Sequence, residues 1–167
     1  FSGTSAVRVG DRVYVEAEGR AQISDNWLGN IVDYRGLVMG TPDTGTDPYA
    51  TSRPLLAPAI PANQRRALGA RLDTGLMITD TALPLCRGQR IGLFAGSGVG
   101  KSTLLATLAN RVSADRVVIG LIGERSREVG EFATKKLDQS IREKTVIVAA
   151  TASDPPGAKK RAAYCAM

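Results

Sequence analysis

The residues with the most specific chemistry lie in one glycine-rich run, Ala95-Gly96-Ser97-Gly98-Val99-Gly100-Lys101-Ser102-Thr103. Glycines allow a tight backbone turn whose N–H groups face an anion, and a helix that begins near Gly100 directs its positive end at the same anion. In loops of this pattern a lysine reaches the β- and γ-phosphates and a serine hydroxyl ligates Mg²⁺. We therefore predict a phosphate-binding loop, with Lys101 on the phosphates and Ser102 on the metal.

The flanking sequence supports this interpretation. Residues 91–95 form a short apolar run typical of a strand, and residues 100–112 have helical character. The strict motif has glycine where Ala95 stands, which is tolerable because the inward turns fall on Gly96, Gly98 and Gly100. The alternative is a glycine-rich strand–helix turn with an incidental lysine.

A second candidate site follows the apolar run at residues 117–122. It reads Gly123-Glu124-Arg125-Ser126-Arg127-Glu128. A carboxylate at the end of such a strand, beside a phosphate loop, can orient a water for attack on the γ-phosphorus. Arg125 and Arg127 are suited to hold phosphate oxygens or a neighbouring subunit. The alternative for Glu124 is an acid favoured by the dipole of the following helix.

The elements expected around these motifs alternate between strand and helix. Apolar runs predict strands at residues 91–95, 117–122 and 145–151, with helices over residues 100–112, 126–142 and from about residue 158. Apolar strands alternating with helices are typical of a parallel α/β sheet, which binds phosphate at its carboxyl edge.

The region before residue 90 has a different sequence pattern, with short strand-like segments and a polar stretch rich in proline and glycine. Residues 7–16 alternate apolar and polar side chains like a half-buried β segment, and residues 28–33 suggest another short strand. Residues 40–54 are rich in proline, glycine and threonine, so we expect a mobile polar loop there.

Charge and composition narrow the possible partners. The net charge is +6, and the excess of lysine and arginine lies in residues 55–167, which suits a polyanionic nucleotide or an anionic membrane surface. Acidic segments elsewhere in a longer chain would equally offset this charge. No arginine-rich cluster with interleaved aromatic residues is present, which argues against nucleic acid.

Cysteine usage and the chain ends suggest the setting of the protein. The two cysteines, Cys86 and Cys165, have no CxxC spacing, and there is no histidine, which argues against zinc and a disulfide framework and favours the cytosol. No initiator methionine or signal peptide is present at the start, and the last residues resemble an interrupted helix. We expect the interior of a longer polypeptide.

The run at residues 86–102 and the run at residues 121–129 closely resemble the ATPases of type III protein export, which are relatives of the rotary ATP synthase alpha/beta subunits. The A-G-S-G-V-G-K-S form of the loop is most similar to the flagellar export ATPases, also called flagellum-specific ATP synthases. Further matches are residues 28–33, Leu72-Asp73-Thr74-Gly75-Leu76 and Ser153-Asp154-Pro155-Pro156.

The resemblance implies a RecA-like P-loop core over residues 25–167, preceded by the remnant of a small β-barrel in residues 1–24. It implies ATP and Mg²⁺ as cofactors, with residues 96–103 and Arg125 binding nucleotide, Ser102 on the metal, and Lys101 and Glu124 as catalytic groups. The non-catalytic subunits of rotary ATPases tend to have glutamine at the position of Glu124. A glutamate at this position therefore favours a catalytically active protein.

The resemblance also implies an oligomeric assembly with partner proteins. We expect a cytoplasmic homohexamer at the inner face of the cell membrane, with stalk and regulator proteins, the export gate, export substrates and chaperones as partners. The Walker B aspartate, the arginine finger and the adenine pocket have no candidates in this chain, and the polar loop after residue 33 departs from the family pattern. We therefore expect these 167 residues alone to be inactive.

Other hypotheses share the same loop. A virulence-type secretion ATPase or a rotary synthase subunit would use the same chemistry in a different machine. A nucleotide-binding module without turnover, or an RNA translocase, would use the same core for a different purpose.

Overall fold

The computed structural model describes residues 19–41, 47–96 and 98–167. The strands in these residues are β1 Arg20–Ile23, β2 Ile31–Val32, β3 Thr51–Pro54, β4 Arg71–Leu72, β5 Leu85–Cys86, β6 Val117–Glu124 and β7 Thr145–Thr151. The α-helices are α1 Met77–Thr81, α2 Lys101–Arg111, α3 Ser126–Glu131, α4 Gln139–Arg142 and α5 Pro156–Cys165. Short 3₁₀ turns cover Asp25–Trp27 and Ala62–Gln64, and a π-helical segment covers Phe132–Lys136.

A three-stranded parallel sheet organises the molecule, in the order β2-β7-β6. In β7, Ile147 lies beside Ile31 of β2 and Ile119 of β6. This central position explains why β7 is so apolar, since a parallel strand covered on both faces has no solvent-facing side. The predicted parallel α/β arrangement is confirmed, and β6 and β7 match the runs predicted at residues 117–122 and 145–151.

Alternate side chains of β7 point to opposite faces of the sheet, and each face is covered. On one face α2, α3 and the π-helical segment pack on β6 and β7, with Ala106, Ala109, Ile119, Leu121, Val129, Phe132, Ala133, Leu137, Ile147 and Ala149 buried together. On the other face α5, β1 and β2 contribute to a second cluster, with Ala21, Trp27, Val32, Val148, Ala150 and Ala162 buried together.

The helix predicted over residues 126–142 is interrupted. After α3 the chain widens into the π-helical segment, and Leu137 and Asp138 then take extended backbone angles before α4. The break is stabilised by Asn110, whose Nδ2 donates to the Lys136 carbonyl at 2.9 Å and whose Oδ1 accepts from the Asp138 N–H at 3.1 Å. Burial of Leu137 in the core accompanies this turn.

The strand predicted at residues 91–95 is wrong for this structure. These residues lie outside any strand and are exposed. A strand needs a neighbour for its backbone N–H and C=O groups, and no strand of the described residues lies beside this run. A buried strand also needs other elements to cover its apolar side chains, and Phe94 in this run is 95% exposed.

The N-terminal part of the described chain forms an antiparallel pair of strands, β1 with β3, in which Ala21 lies beside Arg53. The mobile loop predicted over residues 40–54 is therefore wrong at its end, where residues 51–54 form β3. Residues 42–46 of that predicted loop lie outside the described residues. The predicted strand at residues 28–33 is confirmed only at β2. The segment predicted at residues 7–16 lies outside the described residues, and the barrel remnant and the boundary at residues 24–25 stay predictions.

None of the helices in the described ranges combines the length and apolar character that crossing a bilayer requires.

Candidate functional site

The N-terminus of α2 has the backbone geometry that the glycine-rich run predicts. Gly98 has φ +77° and Gly100, the residue just before the helix, has φ +95°. Only glycine adopts such angles without strain, and the space where a Cβ would stand is open at both positions. Gly100 has no side chain to cap the helix, so the first backbone N–H groups of α2 are available to an anion. Ser97 lies outside the described residues.

The first turn of α2 carries the polar side chains of the motif. Lys101 and Thr103 are exposed, Ser102 is half-buried, and Val99 stands exposed at the mouth of the loop. Gly96 is also exposed, just before the turn. Backbone donors, one ammonium and two hydroxyls form a donor set that suits a polyphosphate.

The two ends of α2 have opposite surroundings. At its C-terminal end Asn110 holds the break before α4, and Nη1 of Arg111 donates to the Gly75 carbonyl at 2.8 Å. A short connection then leads directly into the amino end of β6. Between its two ends, α2 contributes Ala106 and Ala109 to the core cluster that also contains Ile119 of β6.

Glu124 is the last residue of β6, at the carboxyl edge of the sheet. Gly123 has φ +81° and produces an irregularity in the strand pairing, after which Glu124 pairs with Thr151 of β7. The Glu124 carbonyl accepts a hydrogen bond from the Ala152 N–H at 2.9 Å, and the Glu124 residue is half-buried. Such a bulge re-aims a side chain at the end of a strand, which suits a carboxylate that must point out of the sheet.

Arg125 follows Glu124 and lies at the start of α3. Its side chain is 77% exposed, and its Nε lies 4.0 Å from a carboxylate oxygen of Glu128. An exposed pair at this distance contributes little to stability, so the guanidinium remains available to a ligand.

The structure thus places Lys101 and Ser102 in the first turn of α2, Glu124 at the end of β6 and Arg125 just before α3. In the described residues no ion pair joins Lys101 to Glu124. The run at residues 91–96, which leads into the loop, lies outside the sheet.

Magnesium would find few protein ligands here. In the described residues no three His, Cys, Asp or Glu side chains lie close enough to hold a metal ion. Mg²⁺ keeps several waters and is bound mainly through substrate phosphates with one or two protein oxygens, so a single hydroxyl such as that of Ser102 fits this mode of binding.

Sequence reasoning missed the residues that support the site. Asp154 binds the end of β7 beside Glu124, and Asn110 anchors α2. The only signal for Asp154 was its place in the matching run Ser153-Asp154-Pro155-Pro156, where an aspartate before prolines favours a turn. Asn110 carried no signal, because its partners lie 26 and 28 residues away.

A third supporting cluster surrounds the turn at residues 72–76. Thr74 is fully buried, and its N–H and hydroxyl donate to Asp80 Oδ1 at 3.0 and 2.8 Å. These hydrogen bonds, the backbone one first, hold the pKa of Asp80 below its usual 3.8. Because Gly75 accepts from Arg111, this turn is tied to the far end of α2.

Known proteins resemble this chain along most of its length. The flagellum-specific ATP synthase of Caulobacter vibrioides is 39% identical over 168 residues, covering 98% of this chain, and a type 3 secretion system ATPase of Pseudomonas syringae pv. syringae is 40% identical over 151 residues, covering 88%. The structure of the assembled ATPase EscN in complex with its central stalk EscO, from the type III secretion system of enteropathogenic E. coli, matches with a TM-score of 0.79 at 39% identity, covering 89% of this chain and 36% of that one.

These matches confirm the resemblance predicted from the two motifs. The chain spans 37% and 34% of the lengths of the two relatives. Residues 75–167 match the family model of the ATP synthase alpha/beta family, nucleotide-binding domain. This range includes both the phosphate loop and Glu124. With its parallel sheet and mixed α/β content, this chain belongs to the ATP synthase alpha/beta family.

Proposed function

We propose that this chain carries the phosphate-binding loop and the catalytic carboxylate of an ATPase that energises type III protein export for flagellum assembly. The proposal is supported by the glycine-led N-terminus of α2, which has no side-chain cap, together with the irregular end of β6 that bears Glu124. The names of the relatives and the family match supply the class of reaction.

Each residue has a defined part in this proposal. The backbone N–H groups of residues 96–103 and the Lys101 ammonium bind the phosphates of ATP, and the Ser102 hydroxyl contributes to Mg²⁺. Glu124 orients a water and accepts its proton as it attacks the γ-phosphorus. Arg125 binds phosphate oxygens as negative charge develops there.

The assembly is proposed on the same basis. EscN is described as an assembled ATPase in complex with a central stalk. We infer a homohexamer with a RecA-like core over residues 25–167, a β-barrel to which residues 1–24 belong, and a stalk partner. Regulators, the export gate, substrates and chaperones complete a cytoplasmic complex at the inner face of the cell membrane.

A virulence-type secretion ATPase is the second candidate. The relatives of both kinds have the same level of identity, about 40%, and the EscN structure belongs to a secretion system. The form of the phosphate loop, A-G-S-G-V-G-K-S, is most similar to the flagellar ATPases, which favours the flagellar assignment.

The experiment separates binding from chemistry. Calorimetric titration of Mg-ATP into the chain and its Lys101→Ala variant should show a loss of about 1.5–3 kcal/mol, roughly 10- to 150-fold in Kd, because a charge-assisted phosphate contact is removed. Lys135→Ala is the matched control, since its ammonium is exposed on α3's continuation and pairs only with Glu131 at 3.6 Å. Equal affinity in the Lys101 variant would overturn the phosphate-loop assignment.

For the chemistry, Glu124→Gln should retain Mg-ATP binding while turnover falls roughly 10²- to 10⁴-fold, measured by phosphate release in the natural gene product that contains this sequence. Glu143→Gln serves as the control, because Glu143 is exposed at the end of α4. A Glu124→Gln variant that hydrolyses ATP at the parental rate would contradict the catalytic role of Glu124 and favour the alternative, an acid placed by the dipole of the following helix.

A further inference from the structure

The backbone of Glu124 is held from one side. In the described residues β7 is the only strand that pairs with β6. Beyond the irregularity at Gly123, Glu124 pairs with Thr151, and its carbonyl accepts from the Ala152 N–H at 2.9 Å. The position of the proposed catalytic carboxylate therefore depends on where residues 151 and 152 stand.

Asp154 fixes those two residues. Its Oδ2 accepts from the Thr151 N–H at 2.6 Å and from the Thr151 hydroxyl at 2.9 Å, and its own N–H donates to the Thr151 carbonyl at 3.1 Å. Lys159 Nζ donates to the Ala152 carbonyl at 2.7 Å from the first turns of α5. Hydrogen bonds to an ionised group are about twice as strong as neutral ones, so this turn is held firmly.

We propose that Asp154 is a positioning residue for Glu124. This inference rests on the proposed function of Glu124 and assigns to Asp154 no contact with nucleotide. Its carboxylate locks the turn after β7, the turn presents the Ala152 N–H, and that N–H holds the backbone from which the Glu124 side chain extends. Loss of the lock displaces the carboxylate relative to the phosphate loop on α2, which is anchored independently through Asn110.

The expected kinetic effect follows from this geometry. A displacement of about 1 Å at a catalytic group can cost on the order of 10²-fold in rate. Asp154→Ala should therefore lower kcat roughly 10- to 100-fold, while KM for Mg-ATP stays unchanged because α2 is untouched. Asp154→Asn, which keeps one acceptor oxygen, should lie between the parent and Asp154→Ala.

The decisive measurement is a double-mutant cycle in the natural gene product. If Asp154 acts through Glu124, Asp154→Ala should cost little further turnover in a Glu124→Gln background. The same fold-loss in both backgrounds would overturn the inference. Asp115→Asn is the matched control, because Asp115 is exposed and has no hydrogen bond or ion pair within the described residues.

Hydrogen exchange on the 167-residue chain gives a readout that is independent of activity. Asp154→Ala should speed exchange of the Ala152 amide at least tenfold, with a smaller change at Ile147 in the centre of β7. Equal acceleration at both amides would indicate general destabilisation and would overturn the inference. Parental turnover in Glu124→Gln alone would instead overturn the proposed function, and unchanged Ala152 exchange would overturn the positioning role in either case.

Discussion

Two apolar runs of similar composition have opposite surroundings in this molecule. In β7 the residues from Ile147 to Ala150 are each at most 3% exposed, because strands lie on both sides and helices cover both faces. In the run at residues 91–94, Ile91 is 57% and Phe94 is 95% exposed, and no described strand lies beside it. An apolar run becomes a buried strand only where other elements supply hydrogen bonds and cover.

The sharpest test of this difference replaces one phenylalanine in each environment. Phe132→Ala should lower the free energy of unfolding by about 3–5 kcal/mol, because Phe132 is buried beneath the sheet, whereas Phe94→Ala should change it by about 0.5 kcal/mol or less. Urea unfolding followed by circular dichroism measures both values. Comparable losses in the two variants would show that residues 91–94 are buried in solution.

A second test compares two glycines. Gly100→Ala should destabilise the chain by about 1–2 kcal/mol, because alanine must adopt the left-handed angle that precedes α2. Gly130→Ala, inside α3 with open space around it, should instead stabilise the chain by about 0.5–1 kcal/mol. Thermal unfolding distinguishes the signs, and a harmless Gly100→Ala would contradict the loop geometry.

The sequence predicted the elements whose signals are local. β6, β7 and α2 were found within two residues of their observed bounds, because long apolar runs and a glycine before a helix carry their own information. The helix expected over residues 126–142 failed because its interruption depends on Asn110, in another element. β3 was missed because its partner β1 lies about 30 residues earlier.

The same division holds for the candidate site. The two motifs predict Lys101, Ser102 and Glu124 as site residues, since each stands at a fixed spacing from glycines or from a strand end. Asp154 and Thr74 were only parts of matching runs, and Asp80 was in none, because these residues act through hydrogen bonds that form only when the chain folds. The role of a supporting residue depends on the residues that it contacts in the folded chain, and motif spacing does not predict those contacts.

The smallest expected effect concerns Asp80, which accepts two hydrogen bonds from Thr74 in the region before the phosphate loop. The lowered pKa of Asp80 means that its stabilisation is present above the unfolded value of 3.8 and is lost as the pH falls through the folded value. Asp80→Asn should therefore lower stability at pH 7, and its difference from the parent should shrink as the pH falls below 3.8 and vanish only below the folded pKa of Asp80. Thermal unfolding against pH checks this, and Asp115→Asn should show no such convergence.

The pairing of β2 with β7 has a consequence for biosynthesis. β2 leaves the ribosome early, but its partner is made only after more than a hundred further residues. At about 5–20 residues per second, roughly 6–24 s pass between synthesis of β2 and completion of β7, the strand that β2 pairs with. The three-stranded sheet therefore cannot close before β7 has been translated.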